Sequence, residues 1–348
     1  MSTAFFEQLQ SSITNAKHIA VTCHVNPDGD ALWSSLPIVI LLRALWKSVD
    51  HRIPTDISEW LTWMSSLSWV ESNVGQLLEN HWYDLVITTD TSTIDRSCLQ
   101  EITQDALGSS MYWFIDHHQS NTVPQWNLFN IANSSSTCEI VANRLMNWKP
   151  NQITSTMATL LYTWMVTDTW NFRWWEDAAS THQTVSKLYE YNIDRQIVEL
   201  SLYRALSPAQ LELIWMFLTR IKHHNSVYYS HLYKSEVDAK GTDMRALTVW
   251  TSLLYALNNA EWVYLTMRCV DNPVDWPNFD PDVQECIKIS LRTASEKINV
   301  ATIAEQFWWW GHQKAAWVKL IRNWSFEEMM ERIAEQVDQL VQASLQRS

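Results

Sequence analysis

The sequence predicts an α/β protein: a parallel sheet with helices on both faces, then a smaller α/β domain of different topology. Three observations predict this. Short apolar runs alternate with helical patterns through the first half. Three of those runs end in acids or histidines, where ligand sites lie in open parallel sheets. A helical stretch over 177–222, with Ser207-Pro208 opening a new helix, precedes a second mixture of strands and helices. Domains are expected at 1–190 and 207–348, joined by a helical linker at 191–206.

The first strand, Ile19–Cys23, feeds His24-Val25-Asn26-Pro27-Asp28-Gly29-Asp30. Pro27 and Gly29 turn the loop, and Asp28 and Asp30 can each face a different ion. The same residues fit an Asx turn that caps the next helix, Ala31–Leu45. Three later segments supply matching ligands and favour the metal reading. Asp84–Thr89 is a buried strand ending at Asp90. A helical stretch near Ile94–Leu107 follows. Met111–Ile115 is a strand that runs into Asp116-His117-His118. Ser136 and Glu139 form a capping box for a helix through Met146, whose N-terminus could hold a phosphate. Helical signals over Thr154–Val166 lead to Asp168. In the C-terminal part, Val227–Leu232, Trp262–Val270 and Cys286–Leu291 read as strands. Asp243–Leu257, Val300–Phe307 and Phe326–Leu345 read as helices.

Composition excludes several classes. A net charge of −13 argues against a protein that tracks a long duplex, but leaves room for a short nucleotide held by metal ions. The five cysteines, Cys23, Cys98, Cys138, Cys269 and Cys286, lack paired spacing and are expected to be reduced thiols of a cytoplasmic protein. Residues 1–17 carry Glu7 and no apolar core, unlike a signal peptide. The longest apolar run, Leu36–Leu45, is interrupted by Arg43 and too short to span a bilayer.

One feature of the composition is abnormal: 22 tryptophans stand beside only 5 glycines, where ordinary usage would give roughly 24 glycines. Trp46 sits at a helix end, and Trp308-Trp309-Trp310 precedes Gly311-His312. Such positions often need a positive φ that glycine adopts most cheaply. The expectation is that many of these positions, including Trp33, Trp164, Trp170, Trp308, Trp309, Trp310 and Trp317, are glycine in the working protein. A gene whose UGA codons mean glycine, translated as if they meant tryptophan, would leave this trace.

His24, Asp28, Asp30, Asp90, Asp116-His117-His118 and Asp168, in this order, resemble the DHH phosphoesterase family. Ser290-Leu291-Arg292 and the stretch Phe307–Trp317, read with glycine at its tryptophans, are similar to the DHH-associated C-terminal domain. The length and domain pair look most like the nanoRNase/pAp-phosphatase branch, which degrades very short RNAs and 3′-phosphoadenosine 5′-phosphate.

The resemblance implies an active site in the cleft between the domains and a cofactor of two Mn2+, with Mg2+ or Co2+ as substitutes. An oxygen and nitrogen donor set without cysteine independently suits such ions. By resemblance, His24, Asp28 and Asp90 hold one ion, and Asp30, Asp90, His117 and Asp168 the other. Asp116 orients a ligand, and His118 faces the scissile phosphate as donor or acid. Arg292, His312 and Gly311 are expected to bind the far phosphate or terminal base. Ser136, Asn121 and Arg173 are further candidates for substrate contact, with a cap, a turn and a surface salt bridge as their structural alternatives. A homodimer is implied by the family only. Two other functions fit the residues: hydrolysis of cyclic di-AMP or its linear product pApA, and nucleotide binding without turnover.

Overall fold

The computed structural model describes the chain apart from residues 1, 58, 78–81, 103–106, 108–110, 119–120, 124–127, 170, 173–177, 204–206, 243–262, 272–284, 308–310, 322–324 and 347–348. The chain divides into two compact units, Met1–Ala205 and Leu206–Ser348.

The first unit is built on six strands: β1 (His18–Thr22), β2 (Ser48–Ile53), β3 (Ser72–Val74), β4 (Leu85–Thr89), β5 (Tyr112–Asp116) and β6 (Leu128–Asn130). All pair in parallel in the order β3-β2-β1-β4-β5-β6. The order reverses between β1 and β4, and beside such a switch point the outgoing loops diverge and leave a crevice. β4 and β5 are buried along their whole length, as strands covered on both faces should be.

Helices α1 (Ser2–Asn15), α2 (Gly29–Ala44), α3 (Glu59–Ser66), α4 (Thr137–Trp148), α5 (Ser155–Asp168), α6 (Ala178–Leu188) and α7 (Arg195–Tyr203) all contribute to one core. On the sheet's other face, Leu99, Ile102 and Leu107 pack against Ala20, Val86, Tyr112 and Phe114. The helix expected over Ile94–Leu107 does not run unbroken. It opens as a 3-10 turn, Ile94–Arg96, and Ser97 leaves it to form an antiparallel bridge with His24. Residues 103–106 lie outside the described residues. Burial of all but the ends leaves α2 no polar face.

The second unit contains α8 (Pro208–Thr219), β7 (Lys222–His224), β8 (Val227–Tyr233), α9 (Lys234–Asp238), β9 (Val263–Asp271), β10 (Glu285–Thr293), α10 (Val300–Glu305), β11 (Gly311–His312), β12 (Ala315–Ile321) and α11 (Phe326–Leu345). Its sheet runs β11-β12-β10-β9-β8-β7 and is antiparallel except between β8 and β9. One face of α11, with Met330, Ile333, Val337 and Val341, closes the core over β8, β9 and β10. The helix expected over Asp243–Leu257 lies outside the described residues. Among the described residues, no helix is long and apolar enough to cross a membrane.

Among the described residues the tryptophans occupy different settings. Trp46 and Trp69 adopt φ of +62° and +55° and are 96% and 93% exposed. At the end of α2 the Trp46 amide donates to Arg43 O and the Lys47 amide to Leu42 O. That is the Schellman pattern, with tryptophan where glycine normally stands. Trp33 and Trp164 are buried, and meet edge to face with ring centroids 5.6 Å apart. They therefore fill the core between α2 and α5, and a Cβ added to Gly29 would lie 2.2 Å from Trp164 Cε3. Trp317 extends from β12 between the cations of Lys288 and Lys319, 5.4 and 5.5 Å from its ring. Trp170 and Trp308–Trp310 lie outside the described residues.

Candidate metal centre

The loops leaving β1, β4 and β5 bring their polar residues together at the switch point. Asp28 caps α2: its Oδ1 accepts from the amides of Asp30 and Ala31 at 3.0 and 3.2 Å. The turn that the first loop could have been is therefore present, and it coexists with the ligand cluster. Asn26 and Asp90 hold positive φ of 50° and 54°, a conformation that Asn and Asp tolerate better than other side chains. Asp90 is thereby turned back over the end of β4.

His24 Nε2 lies 3.3 Å from Asp90 Oδ2 and 3.8 Å from Asp28 Oδ1. His117 Nε2 lies 3.6 Å from Asp30 Oδ2 and 3.8 Å from both Asp90 Oδ1 and Asp168 Oδ2. The other ring nitrogens face backbone carbonyls: His24 Nδ1 is 2.7 Å from Val25 O, and His117 Nδ1 is 3.2 Å from Ser134 O. A proton on each Nδ1 leaves each Nε2 as the atom that faces the carboxylates and would meet a cation held by them.

Three groups of donor atoms lie within ion-binding range of one another: His24/Asp28/Asp90, Asp30/His117/Asp168 and Asp90/His117/His118. All six residues expected as ligands are brought together; Asp90 is common to the first and third groups, and His117 to the second and third. Asp116 reaches the cluster through His118, whose Nδ1 is 2.8 Å from Asp116 Oδ1 and 3.6 Å from Asp90 Oδ1. Asn121 Nδ2 donates to Asp116 Oδ2 at 2.5 Å and to Thr91 O at 3.1 Å, while its Oδ1 accepts from the Val123 amide. Asn121 thus fixes the acid that fixes His118.

Two residues of this site went unread in the sequence. The Thr137 and Cys138 amides donate to Asp30 at 2.7 and 2.9 Å, and the Thr137 hydroxyl donates to Asp90 Oδ1 at 3.0 Å. The anion held at the N-terminus of α4 is therefore the Asp30 carboxylate. Ser136, fully buried, accepts from the Glu139 amide. The other half of the expected capping box is absent, because Glu139 reaches past Ser136 to the Ser135 amide at 2.9 Å. Glu139 also accepts from the hydroxyls of Ser134, Ser135, Ser180 and Thr181, which anchors α4 beside the site.

The electrostatics fit a cation site. Burial, then the neighbouring Asp90, pushes the carboxyl of Asp30 well above the usual range; desolvation, then Asp28 and Asp90, does the same to Asp168. Burial opposes charge on His24 and His118, yet the carboxylates of Asp28 and Asp90 beside the first, and of Asp116, which accepts from the second, raise both to about 9. Asp90 is held below the carboxylate range despite its burial, chiefly by His24. Carboxylates crowded until they compete for protons are what divalent cations satisfy. Oxygen and imidazole donors without thiolate suit manganese or magnesium.

Of the residues expected at the substrate, Arg292 lies on β10 opposite Ala315 and Tyr264, with Nη1 donating to Leu291 O and Ala316 O. Gly311 and His312 form β11. Arg173 lies outside the described residues.

Residues 18–163 match the model of the DHH family, N-terminal domain. The fold is similar to an exopolyphosphatase-related protein from Bacteroides fragilis at 21% identity and a TM-score of 0.78, covering 98% of each chain. It is also similar to RecJ from Thermus thermophilus in complex with Mn2+, at 12% identity and a TM-score of 0.50, over 98% of this chain and 54% of that one. The matched stretch holds every residue of the metal cluster except Asp168, and the first unit carries the N-terminal domain of the DHH family.

Proposed function

We propose that the protein is a manganese-dependent phosphohydrolase that cleaves small nucleotide phosphoesters, either short oligoribonucleotides or 3′-phosphoadenosine 5′-phosphate. The observation that carries this reading is that Asp90 stands between the two sets of ligands, its Oδ2 3.3 Å from His24 Nε2 and its Oδ1 3.8 Å from His117 Nε2. His24, Asp28 and Asp90 would hold one ion, and Asp30, Asp90, His117 and Asp168 a second. Bound there, two divalent ions supply Lewis acidity to phosphoryl oxygens and lower the pKa of water. The protein does the rest. Val25 O and Ser134 O set the tautomers of the two ligand imidazoles, and Thr137 aims Asp30 and Asp90. His118, charged at neutral pH through Asp116, presents a proton for the leaving oxygen.

Protein stripped of metal and resupplied with manganese should release mononucleotides from a 5′-phosphorylated diribonucleotide and phosphate from 3′-phosphoadenosine 5′-phosphate. Neither should occur without metal. Turnover confined to cyclic diadenylate would replace this reading with a cyclic-dinucleotide phosphodiesterase, and turnover confined to polyphosphate with an exopolyphosphatase. Tight nucleotide binding without hydrolysis of any of these substrates would leave a binding protein.

A further inference from the structure

One cation at the metal centre has no part in the ligand set. Arg96 closes the 3-10 turn after the Asp90 loop, and its backbone is docked onto the first ligand loop. Its carbonyl accepts from the Val25 amide at 2.5 Å, and the next residue, Ser97, bridges to His24. The half-buried side chain stands within electrostatic reach of Asp28, Asp90 and Asp116, and of His24. Among the described residues, no carboxylate lies within ion-pair distance of the guanidinium and no side-chain hydrogen bond holds it. Asp90 and Asp116 are instead engaged by His24, His117, His118, Asn121 and Thr137.

An arginine held beside carboxylates by its backbone, with no direct side-chain partner among the described residues, contrasts with Arg220, whose two terminal nitrogens grip Glu236 in the second unit. Two divalent ions would cancel the charge of Asp28, Asp30, Asp90 and Asp168, and His118 that of Asp116, so the charge of Arg96 is left over and an anion would balance it. The planar guanidinium fork matches phosphoryl oxygens in pairs.

We propose that Arg96 binds a non-bridging phosphoryl oxygen of the substrate, as the specificity-determining cation of the first unit. The proposal rests on the phosphohydrolase reading. Its test is inorganic phosphate binding to the manganese-loaded full chain, compared among wild type, Arg96→Gln and Arg96→Lys, with metal content measured on each. Arg96→Gln should keep its manganese, bind phosphate about 10- to 100-fold more weakly, and raise KM for a phosphoester substrate. Arg96→Lys should recover part of the loss. Unchanged phosphate affinity in Arg96→Gln overturns the proposal. So does loss of manganese from that variant, which would make Arg96 a support for the ligand loop. If wild type hydrolyses no phosphoester yet binds phosphate through Arg96, the catalytic reading fails and this one stands.

Discussion

The Thr137 hydroxyl donates to Asp90 Oδ1 at 3.0 Å, joining residues 47 apart in sequence. The same residue's amide donates to Asp30. One helix start therefore orients a carboxylate from each of two strand ends. Thr137→Val keeps the amide bond and the side-chain shape and removes only the hydroxyl donor. Manganese affinity is expected to fall about 10- to 100-fold, read by titration calorimetry, with the circular dichroism spectrum unchanged. Wild-type affinity in this variant would show that Asp90 is positioned without Thr137.

Metal affinity should depend on pH in one direction. Without metal, His24 keeps its proton up to about pH 9, against an ordinary value of 6.5. An ion that takes Nε2 must displace that proton. Affinity should therefore rise from neutral pH to about 9, with protons released in calorimetry across buffers of different ionisation enthalpy. Stability of the metal-free protein has the opposite slope. The raised pKa contributes stability fully below 6.5, and this is lost as pH rises through 9. Tm of the metal-free protein should fall over that window, and manganese should offset the fall. Metal binding without proton release would remove His24 from the ligand set.

His118 carries its proton because Asp116 accepts from it. Asp116→Asn removes the negative charge while Asn121 and the surrounding fold remain. The pKa of His118 should drop, and the alkaline limb of the pH–rate profile should move to lower pH. The rate at neutral pH should fall about 100-fold or more if His118 is the acid. A reduced rate with an unmoved alkaline limb would mean that Asp116 acts on geometry alone.

Most of the cluster was legible because a short apolar run precedes it, and a buried parallel strand must deliver the next polar residue to the sheet's carboxyl edge; Asp168 instead ends helix α5. His24, Asp90 and the triplet at Asp116 all obey that rule. Thr137 does not. A threonine at a helix start is ordinary, and its contact with Asp90 exists only once α4 is placed over the switch point. Glu139 was visible as a capping residue, but the hydroxyls gathered round it come from α6 as well as from its own loop. Arg96 was hidden for a further reason. The sequence around it reads as a continuous helix, and only the bridge between Ser97 and His24 shows that the segment breaks off to meet the ligand loop.

The tryptophan excess makes a prediction that separates two kinds of position. Trp46 and Trp69 sit in the left-handed region with their indoles in solvent, so their side chains lose conformational energy and bury nothing. Trp46→Gly and Trp69→Gly should each stabilise the protein by about 1 kcal/mol, measured by chemical denaturation. Trp33 and Trp164 are packed against each other between α2 and α5. Replacing either with glycine in the tryptophan-bearing chain should cost about 3–5 kcal/mol. Coding DNA decides what the cell makes. UGA at 46 and 69 would identify the glycine-requiring turns as glycines. UGA at 33 and 164 as well would let α2 and α5 approach across small residues, which would relieve the crowding of Trp164 over Gly29. UGG at all four would make the strained turns native, and the composition would then need another cause.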